Sequence, residues 1–392
     1  MKLLFIIIPA LLAMLLSRVL IPFIILVTYK KRLFDPIDAR KLHQRAIPRL
    51  GGVAFAPIQC CVLVVTLVTM IKVVNMQLGV QSWAILPALM MLLCGLVILF
   101  IIGIGDDLIG INYKWKFMVQ LIVASFFPLS GLYLNDLYGF IGVSSIPAWI
   151  GIPLTMFTVV LIINAINLID GLDGLCSGVV VVGCSVLGTL FIGYGAWLHA
   201  LFAFITVGVL LPFFFINVYG VTRRRRQIFM GDTGSMTLGY SIAFLAISFA
   251  MNNIYIKPFS QGAIVVGFST LIVPIFDVAR VICVRWYQGK PLFKPDRNHL
   301  HHLLLQTGLS HRMTMVSILL LTLFFCAFNI LIVEMVDVNI VVLANIVIWF
   351  LFLMGCSLFE KKKLPAKSAH SKKESIPNKK INPKVEIFKN LY

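Results

Sequence analysis

Long apolar runs alternate with short polar stretches along this chain, and the runs set the expected elements. Eleven runs carry almost no charge, at roughly residues 3–28, 50–73, 84–104, 117–134, 147–166, 175–194, 197–216, 235–251, 261–283, 314–333 and 339–358. About 20 apolar residues suffice for a helix to cross a bilayer. Each run is therefore predicted to be a transmembrane helix. The fold class that follows is an all-α polytopic integral membrane protein with about eleven transmembrane helices. The first run follows Met1-Lys2 without a clear small-x-small cleavage site and is expected to be retained. Residues 1–358 form the expected transmembrane domain. Residues 359–392 are polar, Lys-rich and Pro-broken, and are expected to be a basic, disordered cytoplasmic tail.

Composition sharpens this picture. Of 392 residues, 60% are hydrophobic and 12% charged, which excludes an ordinary soluble domain. The net charge of +18 is unevenly spread. Lys30, Lys31, Arg32, Arg40, Lys41, Arg45 and Arg49 crowd one loop, Arg223–Arg226 another, and ten lysines lie beyond Phe359. With eleven spans, all three groups fall on one side. The positive-inside rule puts that side in the cytoplasm, with the N-terminus outside and the C-terminus inside. Anionic membrane lipids are the expected surface partner, and nucleic acid is not expected. The eight cysteines are scattered, form no Cys-x-x-Cys, and read as reduced packing residues.

The candidate chemistry lies where the runs end on this inner side. Asn164-Ala-Ile-Asn-Leu-Ile-Asp-Gly-Leu-Asp-Gly-Leu175 sets two carboxylates and two carboxamides at a membrane edge. An ionised Asp at mid-bilayer costs roughly 2.5–3.5 kcal/mol, so such groups persist where they meet water, a metal or a polar ligand. Asn164, Asn167 and Asp170 are three apart and share one helix face. Asp106-Asp107 close an uncharged run from Trp83 to Gly105. Paired carboxylates repel and want a cation. Magnesium prefers oxygen ligands and accepts substrate phosphates. Lys114, Lys116 and Gln120 follow within reach of phosphate. Gly231-Asp-Thr-Gly-Ser235 reads as a polar turn opening a helix, suited to anions, with Asp232 a further metal ligand. His43, Arg45 and Arg49 read either as an anchor or as a grip on phosphate or nucleotide. His299, His301 and His302 stand beside Arg297. Zinc would need further ligands with no Cys nearby, and a phosphate grip titrating near neutral pH is the alternative. Asp277 and Arg280 read as a mainly structural ion pair.

Acids with flanking Arg, Lys and His suit a metal-bound phosphate, and an apolar groove between helices suits a lipid. Phosphoryl transfer between a nucleotide and a lipid phosphate fits these parts. A cation-coupled transporter would hold its acids nearer mid-membrane. A lipid-binding scaffold would not need the paired acids.

Together, four motifs resemble the polyprenyl-phosphate N-acetylhexosamine-1-phosphate transferases, over about Arg40 to Arg312. They are Asp106-Asp107 with Lys116 and Gln120, the 164–175 stretch, Phe229-Met-Gly-Asp-x-Gly-Ser235, and Pro295-Asp-Arg-x-His-x-His-His302. The His-x-His-His form resembles the WecA-like branch. The resemblance implies that residues 1–358 are catalytic, with the active site built from cytoplasmic loops in a bacterial inner membrane. It implies transfer of N-acetylglucosamine-1-phosphate from UDP-N-acetylglucosamine to undecaprenyl phosphate, releasing UMP, as the first membrane step of a polysaccharide such as O antigen. Magnesium is the implied cofactor, with manganese the alternative, and a homodimer is compatible. By the same resemblance Asp232 is a metal ligand with Asp107 a helper. Asp106, Asp107, Asp170 and His299 are catalytic, Asp106 either orienting or deprotonating the lipid phosphate. Arg45, Asp173 and Phe229 meet the nucleoside. Lys116, Asn164, Asn167 and Asn217 line the substrate pocket, and Arg297, His301 and His302 meet the diphosphate and sugar.

Overall fold

The computed structural model of the protein describes residues 2–31, 33, 49–74, 80–220, 228–291 and 298–370. Each of the eleven apolar runs is largely helical. The elements are α1 (Leu4–Lys31), α2 (Phe55–Val68), α3 (Val80–Ile109), α4 (Tyr113–Leu129), β1 (Asp136–Phe140), β2 (Val143–Ser145), α5 (Ala148–Ile169), α6 (Leu175–Gly193), α7 (Trp197–Tyr219), α8 (Gly231–Ala250), α9 (Ala263–Ser269), α10 (Ile272–Tyr287), α11 (Leu300–Gln306), α12 (His311–Ile332) and α13 (Val338–His370). Helix is the form that satisfies every backbone group within one segment in lipid, which such apolar sequence requires.

Among the described residues, nine helices are long and apolar enough to cross a membrane. The protein is a multi-pass membrane protein. Two expected spans differ in form. The run 261–283 is broken, with α9 and α10 meeting at 83°. Pro274 lies in the first turn of α10, where its missing N–H costs no intrahelical bond. The run 117–134 yields the 17-residue α4, about 25 Å long at 1.5 Å per residue and short of a hydrocarbon core of about 30 Å. Helix α13 continues past residue 358 to His370.

Helix α8 is the axis of the molecule. It packs on α3, α5, α6 and α9, and every residue from Thr233 to Ala250 is buried. With no surface facing lipid, it tolerates Thr233, Ser235, Thr237, Ser241 and Ser248. The outer helices α1, α12 and α13 instead expose Leu, Ile, Val and Phe, as a lipid-facing surface does. Arg18 is on that exposed side of α1. At the end of the bundle away from the acidic motifs, β1 and β2 form an antiparallel hairpin. Asn135 and Asn252 pin it to the segment after α8. Asn135 Nδ2 donates to Asn252 O (2.9 Å), and Asn252 N donates to Asn135 Oδ1 (2.9 Å).

Candidate active site

Helices α3, α4, α5 and α8 deliver their polar ends to one point. The start of α8 is the fixed reference. Gly231 has φ +75°, and a Cβ there would lie 2.5 Å from Asp107 Oδ2, so only glycine fits. Asp107 caps the helix from α3. Its Oδ1 accepts from Asp232 N (2.8 Å), and its Oδ2 accepts from Thr233 N (3.0 Å) and Thr233 Oγ1 (2.6 Å). An anion on unpaired N–H groups at a helix N-terminus is favoured by hydrogen bonding and by the helix dipole. Both oxygens of Asp107 are therefore engaged, and the geometry gives it the placement of Asp232. The motif 231–235 opens a helix as expected, forming the first turn of α8 itself.

Asp106 and Asp232 meet through Lys116. Lys116 Nζ donates to Asp106 Oδ2 (2.8 Å) and Asp232 Oδ2 (2.6 Å). Asp106 Oδ1 accepts from Ile111 N (2.7 Å). Asn167 Nδ2 donates to Asp232 Oδ1 (2.9 Å) and Ser235 Oγ (2.7 Å). The Asp232 side chain is 34% exposed against 10% for Asp106, so Asp232 is the acid a ligand reaches first. Asn164 is turned away from this opening. It exchanges amide hydrogen bonds with Gln120, the shorter at 2.7 Å, and ties α4 to α5.

Asp170 ends α5 and Gly174, at φ +77°, starts α6. Burial first, then the Asp232 charge, raises the Asp170 carboxyl well above its ordinary range. Asn217 organises the turn that follows, its Oδ1 accepting from Gly174 N and its Nδ2 donating to Ile228 O (2.8 Å) and, at 3.5 Å, to Asp173 Oδ1. The Phe229 carbonyl accepts from Gly51 N (2.9 Å) and the Met230 carbonyl from Gly52 N (2.8 Å), which brings Arg49 to the site's rim.

The histidine turn closes the arrangement. A Cβ on Gly171 would lie 2.8 Å from His301 Nε2. His299 and His301 stack with parallel rings, centroids 6.1 Å apart, and His302 follows at 4.2 Å from His301. Burial, aided by the neighbouring histidines, lowers His301 to about 3, so it is neutral at physiological pH. Asp106, Asp107, Lys116, Asn167, Asp170, Asp173, Asn217, Phe229, Asp232, His299, His301 and His302 thus share one end of the bundle. His43, Arg45, Arg223–Arg226, Asp296, Arg297 and the tail beyond His370 lie outside the described residues. Thr233 was not anticipated as a contact, and its position one residue past Asp232 in a capping motif was the available signal.

Among the described residues, no three His, Cys, Asp or Glu side chains are grouped to hold a metal unaided. Asp106 and Asp232 nevertheless converge on one cation, the Lys116 ammonium. Two carboxylates with phosphate oxygens completing the shell suit magnesium, so the donor set fits such an ion with substrate present.

Comparison with known proteins accords with this geometry. The model of glycosyl transferase family 4 matches residues 89–250, which include Asp106, Lys116, the 164–175 stretch and Asp232. A probable undecaprenyl-phosphate N-acetylglucosaminyl 1-phosphate transferase of Bacillus subtilis (strain 168) is 31% identical over 363 residues, covering 91% of this chain and 88% of that protein. The undecaprenyl-phosphate alpha-N-acetylglucosaminyl 1-phosphate transferases of Escherichia coli (strain K12) and Yersinia pestis are 30% and 29% identical, each over 75% of both chains. The chain therefore belongs to glycosyl transferase family 4, as a phosphotransferase of the WecA-like branch of the polyprenyl-phosphate N-acetylhexosamine-1-phosphate transferases.

Proposed function

We propose that the protein transfers N-acetylglucosamine-1-phosphate from UDP-N-acetylglucosamine to undecaprenyl phosphate, giving undecaprenyl-diphosphate-N-acetylglucosamine and UMP. The observation that carries this reading is the Asp106–Lys116–Asp232 bridge at the rim of a membrane helix bundle. Fixed acids and a lysine there suit a metal-bound diphosphate that a lipid approaches from the side. The names of the relatives support the same donor and acceptor.

Asp232 and Asp106 would hold the divalent ion, magnesium or manganese. When bound, that ion neutralises diphosphate charge. The remaining work falls to the chain. Asn167 fixes Asp232, and Asp107 fixes the backbone that carries it. Lys116 is the cation that meets incoming phosphate oxygens. Asp106, held by Ile111 N and Lys116, orients the lipid phosphate, which is already largely ionised near pH 7. A lipid phosphate oxygen attacks the sugar-linked phosphorus. The bond from that phosphorus to the oxygen shared with the uridylyl phosphate breaks, and UMP leaves with that oxygen. Arg45, Asp173 and Phe229 take the nucleoside, and Arg297, His301 and His302 the diphosphate and sugar. The basic loops support a cytoplasmic site in a bacterial inner membrane. The product is suited to begin a surface polysaccharide such as O antigen.

The test is UMP release by purified protein in detergent. UDP-N-acetylglucosamine, UDP-N-acetylgalactosamine and UDP-muramoyl-pentapeptide are compared with undecaprenyl phosphate, with magnesium, manganese or EDTA. Release that needs lipid and metal and prefers UDP-N-acetylglucosamine is expected. Preference for another sugar would move the donor, and no release from any donor by folded protein would overturn the proposal.

A further inference from the structure

Asp277 is almost fully buried in α10, at 1% exposure, yet it is surrounded by donors. Arg280 Nη2 donates to Oδ1 (2.8 Å) and Leu300 N donates to the same oxygen (2.9 Å). His299 Nδ1 lies 2.8 Å from Oδ2. Arg280 also donates to the Asn298 carbonyl. The Asp277 carboxylate thus joins the bent half-span α10 to His299 and Leu300, and its partner Arg280 adds Asn298, so the pair holds the three residues that open the histidine turn. An isolated buried charge is costly, and with Arg280 on Oδ1 alone, Oδ2 gains its partner only when the turn is seated. A carboxylate already taking hydrogen bonds from a guanidinium and a backbone N–H is an acceptor at His299 as well. His299 therefore has a proton on Nδ1, which it donates to Asp277 Oδ2. His299 in turn stacks parallel to His301, whose Nε2 borders Gly171 between Asp170 and Asp173.

We propose that Asp277 is a positioning residue for the transfer reaction. It holds His299 in the Nδ1-protonated tautomer and seats the 298–302 turn against the 170–173 turn, so the angled half-span α10 sets the geometry of the site. This goes beyond the ion pair with Arg280 that the sequence suggests. It rests on the proposed function for its kinetic consequence, although not for the tautomer.

The experiment uses the full chain in detergent. Asp277→Asn keeps the shape of the side chain and removes its charge. Kcat for UMP release is expected to fall roughly 10- to 100-fold, the range for loss of a group that orients a functional histidine, while KM for the nucleotide sugar changes little. Asp277→Glu is expected to recover part of the loss. His299→Ala combined with Asp277→Asn is expected to be no slower than His299→Ala alone, because both act through one contact. A purely structural Asp277 would give losses that multiply, and Asp277→Asn with near-normal kcat would overturn the proposal. Nitrogen-15 histidine spectra, with His299 assigned by His299→Gln, give the second arm. The parent is expected to have the Nδ1-protonated form. An Nε2-protonated parent would overturn the proposal even if Asp277→Asn does not fold. If no donor yields UMP, the proposed function fails and the tautomer arm still decides this one.

Discussion

Asp232 takes hydrogen bonds from Asn167 on one oxygen and Lys116 on the other, and it is the more open acid of the bridge. Asp232→Asn keeps the volume and removes the charge. We expect UMP release to drop about 10²–10³-fold, as for loss of one preorganised electrostatic group, with the melting temperature nearly unchanged; activity near the parent's would remove Asp232 from the metal site. Two other residues give opposite pH signatures in stability. The Asp170 carboxyl is raised by burial and by the Asp232 charge. Above about pH 4 the unfolded chain has lost this proton and the folded chain keeps it, so stability falls as pH rises. His301, lowered to about 3 by burial, behaves in reverse. Below about pH 6.5 the unfolded chain binds a proton that the folded chain refuses, so stability falls on acidification. Each slope is at most about 1.4 kcal/mol per pH unit. Thermal melts from pH 4 to 9 are expected to lose the alkaline slope in Asp170→Asn and the acid slope in His301→Gln.

Helix α8 joins these residues into a site, because its first turn carries Asp232 and its flank is buried on all sides. Its start depends on Gly231 and on the Asp107 cap. Gly231→Ala puts an L-residue at φ +75°, costing roughly 1–2 kcal/mol per residue in the left-handed region, and pushes a methyl into Asp107 Oδ2. Asp107→Asn leaves the shape but removes the negative charge at the helix N-terminus, a loss of about 0.3–1 kcal/mol. Both variants are expected to melt lower and to lose UMP release, Gly231→Ala more severely; Gly231→Ala with parental activity would show that the first turn of α8 need not be fixed. The legible and the hidden parts of the fold separate at this scale. Apolar runs disclosed the helices because lipid demands them, and the clustered acids disclosed the site because lipid penalises them. The break between α9 and α10 was hidden because Ser269, Thr270 and Leu271 do not interrupt hydropathy; Pro274 was the signal for it. The apolar run alone begins late on α8 because the helix's first turn is polar. The use of Asp277 was hidden because His299, its partner 22 residues on, lies in a separate loop.

For the whole molecule, the decisive relation is between charge asymmetry and the site. Lys30 and Lys31 end α1 close to the 50–54 turn that packs on α8, so this basic end is also the catalytic end. Tyr113 and Trp115 at the start of α4, and Trp286 and Tyr287 at the end of α10, are exposed there, as aromatic residues are at a membrane–water boundary. The β1–β2 hairpin is at the other end, with Ser144 exposed. If basic residues stay inside, a nucleotide donor meets Asp232 from the cytoplasm and the hairpin faces out. In a cysteine-free background, Ser144→Cys is expected to react with an impermeant maleimide on intact cells, and Tyr113→Cys only in inverted vesicles. The reverse pattern would turn the acids away from the cytoplasmic nucleotide pool, and then no arrangement of Asp106, Lys116 and Asp232 could sustain transfer from a nucleotide sugar, however well the chemistry ran in detergent. Detergent turnover and sidedness together are therefore needed to link the site's geometry to its work in a membrane.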